Sequence, residues 1–484
     1  MVMMAVVCLS LSCSLNQFSY QSCVTNEECR DTFGWGHVCE EETGLCGPAT
    51  ADIRCMETWP PNLYKRQSDL QDAILIGIQF DRSNFEREMN AAKLAVMQVM
   101  DHEGLEGIDY ALIECTNEES SQYDNLTQDE ANLQVSEYLA NEIGVHAIVG
   151  PATSDRVDAA YLAVEPYGTL LMSPTATSPA LTELDGLTST DAEPGLLWRT
   201  APPDDLQGAV LAEYIASDNI NGDDKPGIKT VDVIFEEGPY GTALAFVFSE
   251  EFKARGGTTE LRGYGDADKR DEQILRAASS SSGGVLFISA TKDDTKVFLQ
   301  RIATVEGLDD DRWVFLADGA KDPDIFDAAS ALSQSDLERI RGTAPAPDLG
   351  LPYDRFAEAY SSRFGQDAGD SPYTPFAYDA AWLVIYGTAW AHYNEQSIRG
   401  LGIARGLRQV SSGTAVDLDP TTWTNVVAHF REGKSVDAQG ASGHLDYDPS
   451  TGETSAPIEV WTVAPSGNSV AFDTLEIYDP TTLD

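Results

Sequence analysis

The chain has 484 residues, of which 42% are hydrophobic, and carries 31 Lys and Arg against 79 Asp and Glu, a net charge of −48. The length suits two or three domains, and the apolar fraction is high enough to fill their cores, which excludes disorder by composition. The acidity excludes nucleic-acid binding and anionic-lipid binding through a basic patch, since both need clustered Lys and Arg; it reads as solubility, with a field that selects cationic ligands as the alternative.

The first twelve residues, MVMMAVVCLSLS, are apolar but too short to span a bilayer. They read as the apolar region of a secretory signal over 1–12. Small residues Ser10 and Ser12 precede Cys13, and the polar run SLNQ follows it. This resembles a bacterial lipoprotein signal, which implies lipid attachment at Cys13 and a membrane anchor; ordinary secretion is the alternative. Cys8, Cys13, Cys23, Cys29, Cys39, Cys46 and Cys55 all lie in the first 55 residues, and only Cys115 lies beyond. Such clustering fits an oxidising compartment and a disulfide-stapled segment within residues 13–70. A zinc knot is the weaker reading, because there is no CxxC pair and His37 is the only histidine nearby. The expectation is that Cys23, Cys29, Cys39 and Cys46 pair among themselves in a knob over about 20–47, and that Cys55 reaches Cys115.

After a linker around Trp59–Leu70 the pattern alternates. AILIGIQF (73–80) is a buried strand, and Phe85, Met89, Ala92, Val96 and Val99 recur at helical spacing up to Gly104. DYALIEC (109–115) is a strand, 129–143 an amphipathic helix, HAIVG (146–150) and TLLMSP (169–174) two further strands. A second series follows RTAPPDD (199–205): a helix over 206–217, VDVIF (231–235), a helix over 241–255, VLFIS (285–289), a helix over 293–305, and WVFLA (313–317). Residues 350–430 are helix-rich, GHLDYDP (443–449) and PIEVWTV (457–463) read as strands, and an acidic tail occupies 466–484. Strands alternating with helices predict parallel sheets covered on both faces, and two series predict two lobes.

Catalytic signatures are missing. The sequence has no GxGxxG opening a helix after the first strand, no GxxxxGK[ST], no GxSxG and no HExxH. In so acidic a chain, paired carboxylates carry no information about acid–base chemistry.

In open α/β sheets, ligands bind beyond the carboxyl ends of the strands. The loops there read GPATSD (150–155), SPTATSP (173–179), EEGPYG (236–241) and ADGAKD (317–322), with WRTAPPDDLQG (198–208) between the series. Taken in order, from about Ala73 to Val463, they resemble the type I periplasmic binding proteins, and within them the branched-chain amino acid receptors of ABC importers. The resemblance implies an α/β fold of two doubly wound parallel-sheet lobes joined by a three-strand hinge, with lobe 1 over 71–202 and 345–445 and lobe 2 over 203–344 and 446–465. Crossovers are expected near Thr200–Asp204, Gly342–Pro347 and Gly440–Pro457.

The same resemblance implies an extracytoplasmic, non-enzymatic, monomeric protein without a cofactor, which passes an amino acid or similar solute to an ABC permease. Ser154 at a helix start, with Thr175, Ala176 and Thr177, would clamp the carboxylate and ammonium of the ligand. Tyr240 would close over it, and Asp318 would accept its ammonium. Thr291 falls where the amino acid receptors often carry an aromatic, and the first loop, QFDRSNFE (79–86), brings Asp81 or Arg82 within reach of the pocket. Two other readings are a sensor of the same fold, with the Cys-rich knob as its partner contact, and an enzyme on a doubly wound fold, which the missing motifs oppose.

Overall fold

The structure is a computed structural model that describes residues 21–186, 190–217, 225–308, 312–395, 397–467 and 469–479. The signal segment 1–12 and the lipidation site at Cys13 lie outside the described residues.

The Cys-rich extension opens with the helix Asn26–Phe33, whose first turn is held by a reciprocal capping box between Thr25 and Glu28. A hairpin follows, β1 (His37–Glu40) and β2 (Leu45–Pro48), with Cys39 opposite Cys46. Disulfides Cys23–Cys39 and Cys29–Cys46 staple the helix to the hairpin. A segment this small cannot bury a sufficient core, so the bridges replace one. Trp35 docks it on the body, donating from Nε1 to Leu70 O at 2.7 Å. The edge strand β3 (Glu57–Trp59) comes next, and Cys55 is bonded to Cys115.

The first lobe contains β4 (Ile74–Phe80), β5 (Tyr110–Thr116), β6 (Ala147–Val149), β7 (Leu170–Ser173) and β8 (Leu197–Arg199), in the order β3-β5-β4-β6-β7-β8. All pairs are parallel except β3 with β5. Every residue of β4, ILIGIQF, is buried, which requires cover on both faces of the sheet. Helices Arg82–Asp101 and Thr374–Asn394 cover one face through Met89, Val96 and Trp382. Helices Gln128–Glu137 and Ser154–Val164 cover the other through Val135 and Val157. The helix Thr374–Asn394 is apolar nearly all round, the pattern of a helix buried on every side.

The second lobe contains β9 (Thr230–Glu236), β10 (Thr258–Tyr264), β11 (Gly284–Ile288), β12 (Trp313–Leu316) and β13 (Ile340–Pro345). The chain then returns to the first lobe, where β14 (Thr414–Asp417) and β15 (Val436–Gln439) form a small parallel pair. It crosses back for β16 (Ile458–Ser466) and β17 (Ser469–Tyr478), which complete the order β10-β9-β11-β12-β13-β16-β17, with β16 and β17 antiparallel to their neighbours. The chain thus passes between the sheets three times: from β8 to the helix Asp204–Ala216, after β13, and before β16. Two doubly wound lobes with antiparallel edges result.

Several segments differ from the sequence reading. Residues 466–478 are no tail, because β17 pairs along the whole of β16; with half its side chains exposed, this edge strand lacks the apolar run of a central one. GHLDYDP forms no strand beyond a single bridge between His444 and Gln439; it runs along the third crossover, where Tyr447 Oη donates to Arg199 O at 2.9 Å. Strands β8, β10 and β13 carry no apolar run in the sequence and appear only in the structure. In β13, IRGTAP, Gly342 sits under the ring of Trp461, so a polar-looking run is in fact buried. No helix among the described residues is long and apolar enough to cross a membrane.

Candidate functional site

A cavity of about 60 Å³ lies between the lobes, walled by the loops that follow β4, β6, β7, β9, β11 and β12 and by residues 371–373. On the first-lobe side, Gly150 takes φ +106°, and a Cβ there would overlap the Gln79 carbonyl oxygen, so glycine is what lets this loop lie against β4. The loops after β6 and β7 are then stitched together. Ser173 Oγ donates to Pro151 O at 2.8 Å, Thr175 Oγ1 donates to Ala152 O at 2.5 Å, and Ser178 N donates to Ser154 Oγ at 3.2 Å. Ser154 begins the helix Ser154–Val164 on the cavity wall. Its hydroxyl accepts from Ser178 and keeps its own proton for a ligand, and the unsatisfied N–H groups of the first turn favour an anion.

The second-lobe wall centres on Asp318, which is 5% exposed. One carboxylate oxygen accepts from Gln207 Nε2 at 2.9 Å and from Tyr240 Oη; the other accepts from Tyr373 Oη at 2.5 Å. Burial, with the charge of Asp318, raises both phenols well above their ordinary pKa, so they stay protonated and donate. Tyr240 belongs to the second lobe and Tyr373 to the first. Two further bonds cross the cleft, Ser178 Oγ to Pro239 O at 2.7 Å and Arg87 to Asp322 at 3.4 Å.

Of the residues expected at the site, Ser154, Thr175, Tyr240, Thr291 and Asp318 all line the cavity. Ala176 and Thr177 lie behind its wall: the Ala176 carbonyl accepts from Arg199 at 3.3 Å, and the Thr177 carbonyl accepts from Asp204 N at 2.8 Å. Asp81 and Arg82 do not enter. Asp81 caps the helix Arg82–Asp101 through Ser83 N and holds Gln128 Nε2 at 2.8 Å, while Arg82 turns outward to Glu57 and Glu114. Their place is taken by Asn84, Phe85 and Glu88, one turn further along. Phe85 breaks the helical conformation at φ −128°, ψ 33°, which separates the first turn from the rest of the helix.

The sequence reading also missed Lys292, Lys321 and Tyr373 at the wall. Lys292 directly follows Thr291, and Lys321 lies within ADGAKD (317–322), where the sequence reading singles out only Asp318. Lys292 sits between Asp322 at 3.2 Å and Asp324 at 2.7 Å. Burial works against its charge, and the two carboxylates outweigh burial and raise its pKa. Just behind the wall, Asp204 is fully buried and neither its oxygens nor the neighbouring Thr177 hydroxyl makes a well-formed hydrogen bond. Burial, then the charge of Asp318, raises the Asp204 carboxyl well above the usual carboxylate range.

This two-lobed geometry is shared by known proteins. Residues 87–466 match the family described as the receptor family ligand-binding region. The chain belongs to that family. Its fold is that of the leucine-binding protein LivK of Thermotoga maritima, at 18% identity, covering 84% of this chain and 99% of that one with a TM-score of 0.62. It is also that of the substrate-binding protein LivJ of Streptococcus pneumoniae, solved with isoleucine, at 18% identity, 83% and 99% coverage and a TM-score of 0.60. A solute-binding protein of Rhodopseudomonas palustris, solved with 3,4-dihydroxybenzoic acid, matches at 15% identity, 84% and 98% coverage and a TM-score of 0.61. In sequence, the Leu/Ile/Val-binding protein BraC3 of Rhizobium johnstonii is 35% identical over 118 residues, which span 24% of this chain and 28% of that relative. In this chain the cleft between the lobes has an anion-favouring first-lobe wall and a carboxylate on the second.

Proposed function

We propose that this protein is the extracytoplasmic solute-binding component of an ABC importer and that it holds an α-amino acid in the interlobe cleft. The observation that carries this reading is the pairing of opposite electrostatics across one small cavity. The helix start at Ser154 suits a carboxylate, and Asp318, held by Gln207, Tyr240 and Tyr373, suits an ammonium. A zwitterion of amino acid size satisfies both walls together. The BraC3, LivK and LivJ relatives support the same ligand class. The binding is non-enzymatic and needs no cofactor. The protein acts as a monomer outside the cytoplasm, tethered through a lipid on Cys13, and hands its ligand to a permease.

The test is calorimetry on ligand-stripped protein with the proteinogenic amino acids. At least one should bind, and Asp318→Asn should weaken that binding by about 1.5–3 kcal/mol, the scale of a hydrogen bond to a charged group. Absence of any heat or thermal shift with all of them would overturn the reading, because a ligand of the native state must stabilise it.

A further inference from the structure

Three buried carboxyls stand in or just behind the cleft with no ion-pair partner among the described residues: Glu88, Asp204 and Asp318. They do not converge closely enough to share a metal ion. Asp318 is matched by the ligand ammonium in the reading above, on which this inference rests. Asp204 lies behind the wall. Glu88 is the remaining one, and it faces the cavity.

Glu88 projects from the helix Arg82–Asp101 one turn after Asn84, which also lines the cavity, and is 3% exposed. One oxygen accepts from Ser371 Oγ, and neither oxygen forms an ion pair among the described residues. Ser371 Oγ also accepts from Tyr373 N at 3.2 Å, and Tyr373 reaches Asp318, so the segment 371–373 links the two carboxyls along one strip of wall. Burial raises the Glu88 carboxyl above its ordinary pKa, a penalty that a bound cation would relieve.

The cations around the cavity are all engaged. Lys292 bridges Asp322 and Asp324, Lys321 pairs with Glu459, and Arg87 lies 3.4 Å from Asp322 and 3.7 Å from Asp370. An anionic group at the far end of a ligand would therefore meet Glu88 and no free partner. An apolar group would bury Glu88 without compensation. A cationic group would complete it with a charge-assisted bond. The net charge of −48 acts in the same direction at long range, raising the local concentration of cations.

We propose that the ligand is a basic α-amino acid and that Glu88 is the residue that selects it, by accepting the distal ammonium or guanidinium. The experiment is titration calorimetry of the ligand-stripped full chain with arginine, lysine and ornithine against leucine, glutamine and glutamate. At least one basic amino acid should bind about 10- to 100-fold more tightly than every neutral or acidic one. Glu88→Gln, checked for folding by its melting curve, should collapse that ratio to within about threefold; should the variant not fold, the wild-type panel alone decides. A neutral or acidic amino acid that binds as tightly as the best basic one overturns this inference and leaves the amino acid reading standing. Preference for a basic amino acid that survives Glu88→Gln overturns the role of Glu88. Failure of every amino acid in the panel overturns this inference, and only failure of the remaining proteinogenic amino acids as well overturns the amino acid reading.

Discussion

Tyr373 Oη donates to Asp318 Oδ2 at 2.5 Å, from the first lobe to the second. The same carboxylate is held on its other oxygen by Gln207 and Tyr240 of its own lobe, so Tyr373 acts as a latch on a group that is already oriented. Closure of a two-lobed binding protein is an equilibrium, and a ligand gains only what the closed state offers beyond the open one. Tyr373→Phe keeps the ring and deletes the latch. The hydrogen bond is to a charged group, and its loss should cost about 1.5–3 kcal/mol of closure, raising Kd by tenfold or more. Small-angle scattering should show a larger radius of gyration for the ligand-free variant than for the wild type. Equal affinity together with superimposable scattering curves would show that the latch does not contribute.

Ser154 has two roles that one substitution separates. Its oxygen accepts from Ser178 N at 3.2 Å, and its hydroxyl proton is free at the start of a helix on the cavity wall. Ser154→Ala leaves the buried Ser178 N–H without an acceptor, which should lower stability by about 1–3 kcal/mol. It also removes a donor to the ligand carboxylate, which should raise Kd by about tenfold. Denaturant melts without ligand measure the first effect and calorimetry the second. A stability loss with Kd unchanged would move the carboxylate away from this wall.

The lobes were legible where one strand is almost wholly apolar and a helix of clear period follows, as with β4, whose one polar residue is Gln79, and the helix Arg82–Asp101. Loops that end such strands, taken in order as a resemblance to the type I periplasmic binding proteins, point to Ser154, Tyr240 and Asp318 without coordinates. Glu88 and Tyr373 could not. Glu88 reads as one polar position on an amphipathic helix, and the break at Phe85 that presents this turn to the cavity has no sequence signature. Tyr373 lies 55 residues beyond Asp318 in the chain, and it arrives only because the second crossover returns the chain to the first lobe. Thr177 misled for a related reason. It sits in the right loop but behind the cavity wall, where its carbonyl accepts from Asp204 N. Edge strands β10 and β17, with one neighbour and mostly half-buried or exposed side chains, lack the apolar run that marks the central strands.

Cys55 and Cys115 are both fully buried, and their bridge joins residues 60 apart in sequence. Cross-linking a loop of that length restricts the unfolded chain, a contribution of about 4 kcal/mol in the chain-entropy account and about 2–4 kcal/mol as commonly measured. The double variant Cys55→Ala/Cys115→Ala should lose stability on that scale while the knob keeps Cys23–Cys39 and Cys29–Cys46. Peptide mapping of the wild type without reductant should recover all three pairs. A free thiol at Cys115 would remove the tie between the extension and the first lobe.

Asp379 gives the stability a defined pH dependence. It sits fully buried on the helix Thr374–Asn394, where its carboxyl accepts from Ala441 N at 2.9 Å, Ser442 N at 2.7 Å and Ser442 Oγ at 2.5 Å, fixing the start of the third crossover. Burial pushes its pKa up to about 7, against the pull of these three donors. An unfolded aspartate titrates near pH ~4. Between these values the native protein holds a proton that the unfolded chain has released, so the stabilisation is complete below about pH 4 and is lost as the pH rises through about 7. The shift corresponds to about 4 kcal/mol. Repulsion among the many other acids has the same sign, so the wild type must be compared with Asp379→Asn, which cannot titrate there. Denaturant melts from acid to mildly alkaline pH should show the wild type losing stability relative to the variant across that window and running parallel to it above. Parallel curves throughout would mean that Asp379 keeps an ordinary pKa and that the hinge is held by an ionised carboxylate at every pH.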